Sequence, residues 1–354
     1  MNYLTVIILI FSVLGALDRI LGNRFGIGKE FEKAFMLLGT MALSMIGMIV
    51  ISPLIADVMK PVSEIFVNIF HVDPSIIPAS LFANDMGGAT LAVEMAVNEK
   101  IGLYNALVVS SMMGCTISFT IPFSLGVVDK RHHNELLFGL LCGIVTVPSG
   151  CIISGIICKI PFGSLVINLL PLVVFSGLIA YGLVRFPEFC IKVFKAFGVF
   201  ITIIITIGLF LGIIRFLTGF EIIKGIATIE EGAAIYVNAA IVLSGSFPFM
   251  YILSKVLAKP LKVISRKIGV NENLIVGIVS SLATSATAFG MMDKMDRKGV
   301  VLNSAFAVSG AFVLGSHLAF TMAFDSTYVF PVIIGKLVSG VLAILLSNII
   351  YYES

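Results

Sequence analysis

The chain has 354 residues, of which 58% are hydrophobic and only 12% charged, with a mean hydropathy of +1.10. A soluble domain carries about twice that share of charge, so the composition places the protein in a membrane. A net charge of +3 without a run of Lys or Arg excludes nucleic acid as a partner, and four histidines without metal-ligand spacing argue against a metal enzyme.

Apolar stretches of the roughly 20 residues needed to cross a bilayer recur from end to end. The first covers residues 3–22. It reads as a span rather than a cleaved signal peptide, because 1–17 lacks a basic start and Asp18-Arg19 stands where a small-residue cleavage site belongs. Asp18 and Arg19 are expected as a snorkelling pair at its boundary. Spans follow at 34–56, 102–128, 135–158 and 164–184, then at 197–217, 232–253, 300–324 and 329–351. The five cysteines lie in or beside these segments without a CxxC pair and read as small buried hydrophobes.

Two further segments, 74–96 and 273–292, are long enough to span but small and polar in the middle. The first contains Pro78, Ser80, Asn84, Asp85, Gly87, Gly88 and Thr90; the second contains Ser280, Ser281, Thr284, Ser285, Thr287 and Gly290. They occupy matching places in an internal repeat. Lys60-Pro61 corresponds to Lys259-Pro260 at a shift of 199, and Lys100, Asn105 and Ser111 to Lys298, Asn303 and Ser309 at a shift of 198. The order of blocks repeats too: two spans, a connector, a small-polar segment, two spans.

Charge counting decides whether the polar segments cross. If both cross, eleven spans result and the flanking loops carry 11 Lys/Arg on each side. If both re-enter, nine spans remain and one face collects seventeen basic residues against five, with Lys336 inside the last span. Cytoplasmic loops are rich in Lys and Arg, which favours re-entry with the N-terminus outside and the C-terminus in the cytoplasm. The expected fold is an all-α polytopic membrane protein, one transmembrane domain over 1–354. Repeat one covers about 1–160, a linking span about 163–185, and repeat two, inverted, about 193–354. Inverted repeats with Gly-interrupted segments at corresponding positions mark secondary transporters that work by alternating access at a midplane site.

A carboxylate at bilayer depth costs about 2.5–3.5 kcal/mol on insertion scales, which singles out Asp85 in Asn84-Asp85-Met86-Gly87-Gly88. A half-helix over 74–83 would leave carbonyls of Leu81, Phe82 and Ala83 unpaired at the negative end of its dipole. These carbonyls and the carboxylate are a seat for a small cation. The competing reading is a cap, in which Asn84 or Asp85 takes up N–H groups of the next half-helix. A coupling-ion or proton site has the same chemistry. Glu94 reads as an interfacial charge. Asn105, Ser110, Ser111, Thr116 and Ser118 on one span, and Asn303, Ser304, Ser309, Ser316 and His317 on its counterpart, are either interhelical packing groups or cavity lining. No nucleophile elbow, zinc-protease motif or phosphate loop is present, so no enzyme, cofactor or ATP-driven pump is expected.

At these residues the chain resembles the ethanolamine permease family of ethanolamine-utilisation operons, the EutH-like proteins. The resemblance runs almost end to end. It is carried by Asp18-Arg19-Ile20, Ala83-Asn84-Asp85-Met86-Gly87-Gly88 and Ser111-Met112-Met113-Gly114, and by Gly143-Ile144-Val145-Thr146-Val147-Pro148 with Gly150-Cys151-Ile152. In the second half it rests on Lys259-Pro260-Leu261, Phe289-Gly290-Met291-Met292 and Asn303-Ser304-Ala305-Phe306-Ala307-Val308-Ser309. It departs at Ser316, where the family pattern has Asp, and over Thr284–Ala288, where the pattern has a proline. The resemblance implies facilitated uptake of ethanolamine, an ammonium cation with one hydroxyl, across the bacterial inner membrane. Asp85 would then hold the ammonium, with Asn84, Gly87, Gly88, Thr90, Asn105, Ser281, Thr284, Ser285, Thr287, Asn303 and His317 as further contacts. A carrier for a related amine and a membrane scaffold for ethanolamine-degrading enzymes are the alternatives, and the reading leaves room for a homo-oligomer.

Overall fold

The computed structural model describes residues 3–268 and 271–353, with the side chains of 257–259, 261–268 and 352–353 outside that description. Lys259, Lys262, Arg266 and Lys267 of the expected basic face fall in that last group. All regular structure among the described residues is helical. Among the described residues, eight helices are long and apolar enough to cross a membrane: Tyr3–Ile20, Ile27–Asn68, Glu99–Val127, Lys130–Ile157, Phe162–Arg185, Pro187–Thr218, Ile229–Val256 and Ser326–Tyr351.

Helix α1 (Tyr3–Ile20) turns sharply into α2 (Ile27–Met36), which runs into α3 (Leu38–Asn68). The expected Asp18–Arg19 pair does not form. Asp18 is buried, and its carboxylate accepts the N–H groups of Phe25 at 2.9 Å and Gly28 at 2.8 Å, while Arg19 reaches Glu32 at 3.9 Å. The first N–H groups of a helix have no partner within it and sit at the positive end of its dipole, so a carboxylate there serves the turn better than a neighbouring guanidinium.

The two polar segments are hairpins. In the first, α4 (Ile76–Leu81) and α5 (Gly88–Met95) flank a single 3₁₀ turn at Asn84–Met86. Its base is closed by Asp73, whose carboxylate accepts the N–H groups of Val97 at 3.1 Å and Asn98 at 2.8 Å, so the chain leaves on the side where it entered. Next comes the central span: α6 (Glu99–Tyr104), backbone wound wider than an α-helix over Asn105–Gly114 and Thr116–Thr120, then α7 (Ile121–Val127). In its apolar stretch 83% of the residues are buried, against 28% in that of Pro187–Thr218, which identifies it as the axis of the molecule.

The axis is followed by α8 (His133–Ile157), α9 (Phe162–Arg185), α10 (Pro187–Thr218) and α11 (Ile229–Ile268). The second hairpin is α12 (Glu272–Ser281) and α13 (Ser285–Gly290), its base closed by Asn273 Nδ2 donating to the Lys294 carbonyl at 2.8 Å. Asp293 beside that base lies 3.4 Å from Arg131, past the far end of the axis, whereas the first base adjoins Lys100 at its start. The hairpins therefore enter from opposite ends.

The expected span 300–324 is not one helix. It is α14 (Arg297–Ser309) and α15 (Ser316–Phe324), separated by turns in which Phe312 adopts φ +61°. The break is held open by the second hairpin: the N–H groups of Phe312 and Leu314 donate to the Ser281 and Leu282 carbonyls at 2.9 and 2.8 Å. Two discontinuities thus satisfy each other's backbone, the condition under which irregular chain survives at membrane depth. The pair still crosses, for Arg297 lies 3.5 Å from Glu135 at one end and the Tyr328 hydroxyl donates to the Lys100 carbonyl at the other. The chain closes with α16 (Val329–Glu353), packed with α8 and α14. Around the axis the packing is reciprocal, with α1 against α11 and α10 against α3.

Candidate functional site

The turn at the tip of the first hairpin is set by two glycines. Gly87 has φ +90°, a left-handed conformation that a side chain resists, and a β-carbon there would strike Met48. On the axis, Gly114 lets the hairpin backbone approach so closely that a β-carbon would meet the Phe82 carbonyl. Hydroxyls complete the seat: Ser110 donates to the Phe82 carbonyl at 2.6 Å, and Ser118 accepts the Ala83 N–H at 3.0 Å. The Ala83 carbonyl accepts from Met86 and Gly88 at 3.0 and 2.9 Å. The carbonyls of Phe82 and Ala83 are therefore already occupied, contrary to the expectation that they lie free for a cation. The capping alternative fails as well. Gly87 precedes α5 without a side-chain cap, and the Asn84 amide has no protein partner.

Asp85 is left as the polar group directed into open space. It lies on the wall of a cavity of about 1020 Å³, with Ser118, Phe119, Thr284, Thr287, Phe312, Ser316 and His317 on the same wall. Its Oδ1 is 3.9 Å from His317 Nε2, and Ser316 lines the cavity with them. Behind His317, Lys336 Nζ sits 3.1 Å from Nδ1 and donates to the Ser111 carbonyl at 2.6 Å. Phe312 stacks obliquely over His317 at 5.0 Å and meets Phe119 edge to face at 5.5 Å. An anionic group beside aromatic faces is a setting for an organic cation. The cavity lining extends to Glu30 and the exposed Lys33 of α2 and to Tyr251 and Ser254 of α11, which mark its mouth. Following the crossings from α1, that mouth is on the same side as Arg131 and Asp293 and their basic loops.

The other expected contacts lie elsewhere. Asn84, Ser281 and Ser285 are buried at the two hairpin breaks, and the amide of the first and the hydroxyls of the others meet no protein partner. Gly87 and Gly88 shape the turn, and Thr90 is half-buried on α5, off the cavity wall. Asn105 is also off the cavity: it donates to Ser75 at 2.8 Å and exchanges hydrogen bonds with Asn168, tying the first hairpin and α9 to the axis. Asn303 donates to the Leu274 carbonyl at 3.0 Å and so anchors the second hairpin. Glu94 is exposed, as expected of an interfacial charge. Lys336, Phe119 and Phe312 went unrecognised in the sequence. A single lysine within an apolar span was the available signal for Lys336; the two phenylalanines had none among 28.

Among the described residues no cluster of His, Cys, Asp or Glu could hold a metal ion. No solved structure matches the chain. A family model described as ethanolamine utilisation protein, EutH, matches residues 1–350. A probable ethanolamine permease EutH of Listeria monocytogenes is 43% identical over 338 residues, covering 96% of this chain and 91% of the relative. The probable ethanolamine permease EutH of Salmonella typhimurium is 37% identical over 376 residues, covering 96% and 92%. An uncharacterized Bacillus subtilis protein, YxeR, is 38% identical over 333 residues, covering 94% and 90%. With a match over nearly its whole length, this multi-pass membrane protein belongs to the EutH family of ethanolamine utilisation proteins.

Proposed function

We propose that the protein carries ethanolamine, in its ammonium form, across the bacterial inner membrane. Asp85 carries the reading: it is the cavity-lining carboxylate at the tip of a broken hairpin, and Phe119 and Phe312 line the same cavity. The ammonium pairs with Asp85, and the hydroxyls of Thr284 and Thr287 offer partners to the substrate hydroxyl. The names of the Listeria and Salmonella relatives support the substrate. The neutral amine crosses lipid unaided, so the carrier matters most at low pH, where the cation dominates.

Alternating access is the mechanism we assign to it. The support is threefold: sequence matches at a shift of about 199, hairpins that enter from opposite ends, and the reciprocal packing of α1 on α11 and α10 on α3. Asn84, Ser281 and Ser285, buried without protein partners, supply groups that a substrate or a second arrangement of the hairpins can engage. The basic loops on the side of the mouth favour a cytoplasmic opening, an external N-terminus and a cytoplasmic C-terminus. Saturable accumulation of labelled ethanolamine by purified protein in liposomes is the expected result. Liposomes that take up no more than protein-free vesicles would instead favour the scaffold reading.

A further inference from the structure

We infer that Lys336 is the resident cation of the substrate site: it balances Asp85 through His317 while the cavity is empty, so that the unloaded carrier can reset. The inference rests on the carrier reading above.

Lys336 is 1% exposed and lies mid-way along an apolar span. A charge there is expensive and is kept only where it is paired or functional. Its partners are the Ser111 carbonyl at 2.6 Å and His317 Nδ1 at 3.1 Å. The carbonyl belongs to the widened part of the axis, where the backbone departs from α-helical bonding. An ammonium group has donors only, which makes Nδ1 the acceptor and leaves the ring proton to Nε2, 3.9 Å from Asp85 Oδ1. The imidazole stands between the two charges. His317 and Asp85 face the cavity, whereas Lys336 does not line it, so the substrate meets the carboxylate and not the ammonium.

The arrangement has a consequence for the cycle. A loaded site holds its own cation against Asp85. An empty site without Lys336 would present an uncompensated carboxylate to the closing protein, which is unfavourable in a low-dielectric interior. Lys336 fills that role from inside the fold. Removing it should slow the return of the empty carrier and leave the loaded carrier mobile. A lysine that merely ties α16 to the axis would affect both steps alike.

The test compares two modes in the same proteoliposomes: net uptake of labelled ethanolamine into empty vesicles, and exchange against unlabelled ethanolamine inside. For Lys336→Met and Lys336→Gln, net uptake should fall about tenfold or more while exchange stays within about twofold of the unaltered protein. Equal loss in both modes, or undiminished net uptake, would overturn the inference. Absence of exchange in the unaltered protein would sink the carrier reading itself, a separate outcome. If neither variant inserts, charge movement on rapid ethanolamine addition to the unaltered protein decides the matter. A site balanced by Lys336 moves positive charge with its substrate, whereas an electroneutral loaded step contradicts the proposal.

Discussion

Replacing Asp85 by asparagine keeps the volume and the polarity of the side chain and removes only the charge. The perturbation is confined, because the backbone of the turn is held by Gly87, Ser110 and Ser118 rather than by the carboxylate. A hydrogen bond to a charged group is worth about 1.5–3 kcal/mol, and breaking a fully buried pair costs about 3–5 kcal/mol. Asp85 is 17% exposed on a cavity open at one end, so water screens part of this and about 2–3 kcal/mol is the appropriate range. That corresponds to a loss of about 30- to 150-fold in the apparent first-order uptake constant at low substrate. The assay is initial-rate uptake of labelled ethanolamine at a pH well below the pKa of the amine, by variant and unaltered protein reconstituted at equal density. A variant that elutes as folded protein and transports within about threefold of the unaltered protein would refute the role of Asp85 as charge partner.

Further outcomes follow from the same geometry. Gly87→Ala meets both the left-handed backbone and the Met48 side chain, and should lower stability by about 1–3 kcal/mol, seen as reduced thermal stability in detergent. Ser118→Ala strands the Ala83 N–H and should cost about 1–3 kcal/mol on the same measurement, with weaker uptake because the hairpin tip loosens. Asn105→Ala should lower thermal stability by a similar amount and leave the KM of the folded fraction unchanged, since Asn105 anchors the hairpin base and does not touch the cavity. A raised KM for that variant would return Asn105 to the substrate site.

The spans were legible because hydrophobicity over about 20 residues is a property of the chain alone. The hairpins were legible for a related reason: Gly87-Gly88 and the hydroxyl-rich 280–287 cannot be lipid-facing helix, and the charge balance of the loops fixed their return. The break between α14 and α15 was not. Residues 310–315 are apolar apart from their glycines, and the bonds that permit the break run to Ser281 and Leu282, about thirty residues away. Asn105 and His317 looked alike as polar groups in apolar spans. Only their partners separate a hairpin anchor from a cavity wall. The carbonyls of Phe82 and Ala83 were expected free because hydroxyls on a distant helix cannot be placed by local pattern.

If ethanolamine binds in the cavity at Asp85, it should shield the cavity wall from a thiol reagent. In a chain freed of its five native cysteines, a single cysteine at Thr287 on the cavity wall would be labelled with a small thiol reagent from the side of the mouth. Ethanolamine should slow that labelling in a saturable manner, ethylene glycol should not, and Asp85→Asn should abolish the protection. Labelling that ethanolamine leaves unchanged in a chain still competent for uptake would place the substrate elsewhere and contradict the account.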